Sequence, residues 1–104
     1  MRELIGLVGH AKTARASVAL FTLGPGKTTG LSYMKTGEEY FLVTKGRGTV
    51  VVGGRSSPVE TGSIVFLAPE VRHSLTAAAD SDLEFYAVST PAFSPEDYVP
   101  AAGK

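Results

Sequence analysis

GSIVFLAPEVRHSLTA, residues 62–77, decides how the rest of the chain is read. Ile64 to Leu67 is a short run of β-branched and bulky apolar residues. Pro69 ends it, and His73 opens a second run. A run, a proline stop and another run read as strand, turn, strand. The same grammar continues outward in both directions. Residues 17–23 (SVALFTL) end at Gly24-Pro25-Gly26, residues 28–34 (TTGLSYM) at Lys35-Thr36-Gly37, and residues 39–44 (EYFLVT) at Gly46-Arg47-Gly48. Residues 49–52 meet Gly53-Gly54, which accepts the positive φ angles of a two-residue hairpin turn and leads into a strand over 55–60. Residues 63–67, 73–77 and 82–89 (DLEFYAVS) complete the set. No helical period persists for 11 residues anywhere. The pattern predicts an all-β sandwich or barrel of about six to eight strands. The stretch from Pro91 to Lys104 is a tail over the surface, with one helical turn at Pro95-Glu96-Asp97-Tyr98.

Composition narrows the function classes. The 104 residues make one domain, with a core over about 15–90 and a tail over 91–104. Lys+Arg and Asp+Glu number 10 each, so no basic excess is available to displace counterions from a nucleic acid. No apolar run approaches the length of a membrane span, and the first ten residues hold too little apolar bulk for a secretory leader. Cysteine is absent, which excludes disulfides and thiolate sites and fits a cytoplasmic protein. The Gly-Lys-Thr triplet at 26–28 is a turn rather than a phosphate loop, because Phe21 stands where the first glycine is required. His10, beside Gly9, reads as an exposed loop residue.

Several strands are apolar on both faces. Phe41 and Val43 alternate with Tyr40 and Leu42, Val65 and Leu67 with Ile64 and Phe66, and Phe85 and Ala87 with Tyr86 and Val88. Successive side chains of a strand point to opposite faces, so one dry face remains for a partner. A homodimer is expected.

Two segments carry more specific information: residues 26–46 (GKTTGLSYMKTGEEYFLVTKG) and residues 62–77. Together they resemble the two motifs of the cupin superfamily, small jelly-roll barrels. Its first motif is Gly, five residues, His-x-His, three or four residues, Glu, six residues, Gly. Gly26, Glu39 and Gly46 match it in type and spacing. Its second motif is Gly, five residues, Pro-x-Gly, two residues, His, three residues, Asn. Gly62 and His73 match, while Ala68, Glu70 and Ala77 replace its Pro, Gly and Asn. The segment PAFSPEDY at 91–98 looks like the tail of small single-domain cupins of the mannose-6-phosphate-isomerase-like type. The resemblance implies a cupin-type jelly-roll β-barrel with a ligand site inside it.

In metal-binding cupins the first motif supplies two His and one Glu, and the second one His. Here Ser32 and Met34 occupy the His-x-His positions, or Tyr33 and Lys35 by the shorter spacing. Only Glu39 and His73 survive, so no resident metal is expected, beyond weak or adventitious divalent ions at those two. The resemblance brings Glu39 and His73 together inside the barrel. They form either a mutually satisfied polar pair or a general acid–base dyad, with Glu39 orienting the imidazole. Ser32, Tyr33, Met34, Tyr40 and Tyr86 are the expected ligand-binding residues. Three functions stay open: a metal-independent isomerase, epimerase, lyase or cyclase; a non-catalytic module binding a small molecule; and a metal-dependent enzyme with unusual ligands.

Overall fold

One strand organises the molecule. In the computed structural model, which describes residues 1–9 and 11–101, β5 (Glu38–Val52) runs unbroken for 15 residues. Its first half pairs antiparallel with β9 (Leu83–Thr90) and with β7 (Ile64–Leu67). Its second half pairs with β6 (Arg55–Glu60) and β8 (His73–Ala77). Beyond β9 the sheet continues through β3 (Ser17–Leu23), β1 (Arg2–Gly6) and β2 (Ala11–Lys12). Beyond β8 it continues through β4 (Ser32–Met34) and β10 (Tyr98–Pro100). The curled sheet thus closes two faces around one interior, and no helix occurs among the described residues. None is therefore long and apolar enough to cross a membrane.

The sequence reading breaks β5 at Gly46-Arg47-Gly48, and the structure corrects this. Gly46 has φ +85, and a Cβ there would overlap the Asp82 carbonyl oxygen. One at Gly48 would overlap the carbonyl oxygen of Thr76. These glycines let neighbouring backbones approach a bent strand, whose register slips between Val43 and Lys45. Fusion of two expected strands is offset by elements the pattern does not announce: β1, β2 and β10 bring the total among the described residues to ten. Residues 28–34 contract to β4, leaving one isolated bridge from Thr28 to Thr76. Pro95-Glu96-Asp97 is a turn that leads into β10, not a helical turn. The hairpin at Gly53-Gly54 forms as read, with φ of 57 and 82 and Val52 opposite Arg55. His10 and the tail residues 102–104 lie outside the described residues.

Glu70, at the motif position usually held by glycine, is left-handed, with φ 69. Its amide donates to the Met34 carbonyl at 2.7 Å, which ties the turn before β8 to β4. The left-handed conformation costs a side chain about 1–2 kcal/mol, and glycine's extra freedom in the unfolded chain costs about 0.4–1. Strain is the larger, so Glu70→Gly is expected to stabilise the protein by about 0.5–1 kcal/mol. Equilibrium unfolding in urea reads this as a higher midpoint with an unchanged slope.

Candidate functional site

The interior is layered by residue type. Strands β3 and β9 run antiparallel with their inward residues in matched register: Leu23 faces Leu83, Phe21 faces Phe85, Ala19 faces Ala87, and Ser17 faces Ser89. From β5, Val43, Phe41 and Glu39 join the phenylalanine, alanine and serine layers in turn. On β3 and β9, bulk is therefore large in the leucine and phenylalanine layers and small in the alanine and serine layers. Leu83, Phe85, Val43 and Leu75 fill the leucine end completely. Phe85 stacks on Phe21 at 5.1 Å and tilts against Phe41 at 4.9 Å. The alanine layer is too small to fill the space above them. A cavity of about 440 Å³ opens there, walled by both alanines, three phenylalanines of the barrel and the tail residues Phe93 and Tyr98.

The polar end of this cavity holds Glu39 from β5 and His73 from β8. Their Oε1 and Nε2 atoms are 3.3 Å apart, and the side chains are only 13% and 6% exposed. Ser32 on β4 pairs with His73 in register and also lines the cavity, as do Ser17 and Ser89. The imidazole is held from three sides. Its Nδ1 donates to the Val71 carbonyl at 3.2 Å, its face meets the edge of Phe41 at 5.6 Å, and Nε2 looks toward Glu39. A carbonyl oxygen can only accept, so a neutral imidazole carries its proton on Nδ1 and turns a lone pair toward the carboxylate. A proton between Nε2 and Oε1 turns that contact attractive.

A cupin-domain family model matches residues 19–89, a span that includes Glu39, His73 and every residue of the barrel layers but Ser17. The chain belongs to the cupin family. A cupin protein from Bacteroides fragilis superposes with a TM-score of 0.72 at 25% identity, covering 88% of this chain and 79% of that one. A predicted oxalate decarboxylase from Thermotoga maritima gives 0.69 at 28% identity over 71% and 64% of the two chains. An uncharacterised conserved protein with a double-stranded β-helix domain from Klebsiella pneumoniae gives 0.78 at 18% identity over 88% and 78%. No curated protein matches the sequence. Proteins described so differently share this barrel, so the family fixes the fold and leaves the chemistry to the residues of the site.

In this cupin the family's metal does not fit those residues. Ser32 and Met34 replace the histidine pair. Ser32 reaches the cavity as a neutral hydroxyl, and Met34 is buried but does not line the cavity. Among the described residues no third His, Cys, Asp or Glu joins Glu39 and His73 in a ligating cluster. One carboxylate and one imidazole make an incomplete donor set for a transition metal.

Three of the expected ligand-binding residues also fall elsewhere. Tyr40 and Tyr86 have the opposite parity to Glu39 and Phe85 on their strands, so they face outward. Tyr40 donates to Glu38 at 3.2 Å and packs on Phe66. Tyr33 alternates with Ser32 and Met34 and lies under the Arg72 guanidinium, 5.0 Å from its ring centre. The walls that sequence reasoning missed are Ala19, Phe21, Phe41, Phe85 and Ala87. Their signal was present: S-x-A-x-F-x-L over 17–23 and its reverse L-x-F-x-A-x-S over 83–89.

The tail completes the cavity and is latched. Asp97 accepts hydrogen bonds from the Thr36 amide, the Thr36 hydroxyl and the Gly37 amide, each at 2.9 Å. Desolvation pushes its carboxyl up, but these bonds and the nearby Lys35 charge outweigh it and hold the group below its ordinary value of 3.8. A lowered value in the folded state adds stability above the unfolded value, and that contribution is lost as pH falls through the folded one. Amide exchange should therefore show Thr36 and Gly37 protected at neutral pH and released only in acid, below about pH 4. Asp97→Ala should release both amides at neutral pH and loosen Phe93 and Tyr98 over the cavity.

Proposed function

We propose that this cupin binds a small molecule in the barrel cavity and moves a proton on it with Glu39 and His73, as an isomerase, epimerase, lyase or cyclase acting without metal. The observation that carries this reading is the 3.3 Å approach of His73 Nε2 to Glu39 on the wall of a cavity large enough for a substrate. In a proton-transfer cycle Nε2 takes a proton from a carbon beside a carbonyl, and Glu39 stabilises the imidazolium that results. The proton then returns to the substrate at another atom or face. Incubation in heavy water with a panel of small carbonyl compounds tests it. Wild type should speed deuterium entry beside the carbonyl, and His73→Ala should abolish the gain. Binding without exchange by wild type would assign the second reading, a non-catalytic binding module. That reading is favoured by the lining, in which Glu3 and Tyr98 are the other ionisable side chains among the described residues and most of the remaining wall is apolar.

The outer face supports the proposal of a homodimer. Ile64 and Phe66 on β7 are 70% and 51% exposed and lie beside Leu42, at 38%, and Tyr40. A monomer rarely leaves such a patch in water. A second copy is the proposed occupant, and the cysteine-free chain is proposed to work in the cytoplasm. Sedimentation equilibrium should give twice the 10.9 kDa chain mass. Phe66→Asp should give the single mass, and a monomeric wild type would overturn the proposal.

A further inference from the structure

The cavity's layers also define what it can hold. We infer that its ligand is an uncharged, ring-sized apolar molecule with one hydrogen-bonding edge, such as an aromatic or cyclic alcohol or ketone, and not a carboxylate or a phosphorylated sugar. This rests on the reading of the cavity as the ligand site. Three observations carry it.

First, among the described residues no lysine or arginine side chain lines the cavity. Its ionisable side chains, apart from Tyr98, are Glu3, Glu39 and His73. Glu3 stands beside Ala19 at the edge of the alanine layer, with its carboxylate accepting from the Val8 amide at 3.0 Å. His73 stands against Glu39, and the other cation among the lining residues, the Met1 α-ammonium, is outnumbered by the Glu3 and Glu39 carboxylates. With the imidazole neutral, an anion would enter a low-dielectric space of net negative charge. Second, the polar groups gather at one end. Ser17, Ser89 and Glu39 share one row across three strands, and Ser32 and His73 face them from β4 and β8. Third, the other walls are mostly apolar: aromatic faces, the Ala19 and Ala87 methyl groups, Leu23 and Met1, with Thr22 and a Thr29 whose hydroxyl already accepts from the Leu75 amide and donates to the Gly30 carbonyl. The Phe21 and Phe85 rings lie parallel within 8° and floor the space. A polyol would leave most of its hydroxyls unpaired against them. A flat or puckered ring with one polar edge satisfies both ends together.

The test is an NMR titration of the whole chain with three probes: 4-methylbenzyl alcohol, 4-methylbenzoate and mannose 6-phosphate. The alcohol should shift the amides of Ala19, Ala87 and Ser89 and leave Leu42 and Ile64 on the outer face unmoved. The benzoate, with the same ring, should bind roughly thirtyfold more weakly or worse, the effect expected of one like charge nearby. Mannose 6-phosphate should not bind in the interior. In Glu39→Gln the gap between alcohol and benzoate should narrow about tenfold. Either anion matching the alcohol at the inner layer would overturn the ligand class and leave the cavity reading standing. An unchanged gap in Glu39→Gln would remove Glu39 as its cause. If no probe reached the inner layer, the cavity reading itself would fall. The wild-type comparison decides the class even if the variant does not fold.

Discussion

Gly46→Ala is expected to cost the fold about 4 kcal/mol or more, whereas Gly54→Ala should cost only about 1 kcal/mol. The two glycines have nearly the same backbone, with φ of 85 and 82. They differ in surroundings. A Cβ at Gly54 meets nothing within 4 Å, while one at Gly46 would overlap the Asp82 carbonyl oxygen, which belongs to rigid backbone. Gly54→Ala thus measures the left-handed conformation alone, and Gly46→Ala adds the forced separation of β5 from the chain entering β9. Domains of this size have about 5–15 kcal/mol in hand, so Gly46→Ala should lie close to unfolding at room temperature. At about 4–8 °C per kcal/mol, the melting temperature should fall by tens of degrees for Gly46→Ala and by single degrees for Gly54→Ala. Equal losses would show that β5 does not need the close approach at its bend.

His73→Ala should have the second largest effect, a loss of about 2–3 kcal/mol together with the proposed proton-transfer activity. Part of the cost is packing, since the ring fills the space against Phe41. The rest is the Glu39 carboxylate left on an apolar wall without its partner. The loss stays below the upper range for buried pairs because Glu39 faces a cavity that water can enter. Urea unfolding of the variant measures the first effect, and the deuterium-exchange assay measures the second.

The strand pattern was legible wherever a run was bounded by a true turn. Residues 17–23, 55–60 and 73–77 were read to the residue. It failed where glycine serves packing between strands, as at Gly46 and Gly48. A sequence does not distinguish a glycine that turns the chain from one that lets another backbone come near. It failed also at β1 and β10, whose hydrogen bonds come from edges supplied by β3 and β4 rather than from local propensity. At the site, the pair Glu39–His73 came from motif spacing, and the structure brings the two into contact. Tyr33, Tyr40 and Tyr86 fall outside the cavity because of the two-residue period of their own strands. Counting from Glu39 places Phe41 inward and Tyr40 outward; the same count from Ser89 selects Ala87 and Phe85 over Tyr86.

The proposed dyad requires that Glu39 and His73 act as one unit at the cavity. A double-mutant cycle on unfolding free energy, with Glu39→Ala, His73→Ala and the double variant, measures whether they do. The double variant should lose less than the sum of the single losses, with a coupling of about 1–2 kcal/mol. Losses that add to within about 0.3 kcal/mol would mean that the two side chains are neighbours without interaction, and would contradict the proposed dyad.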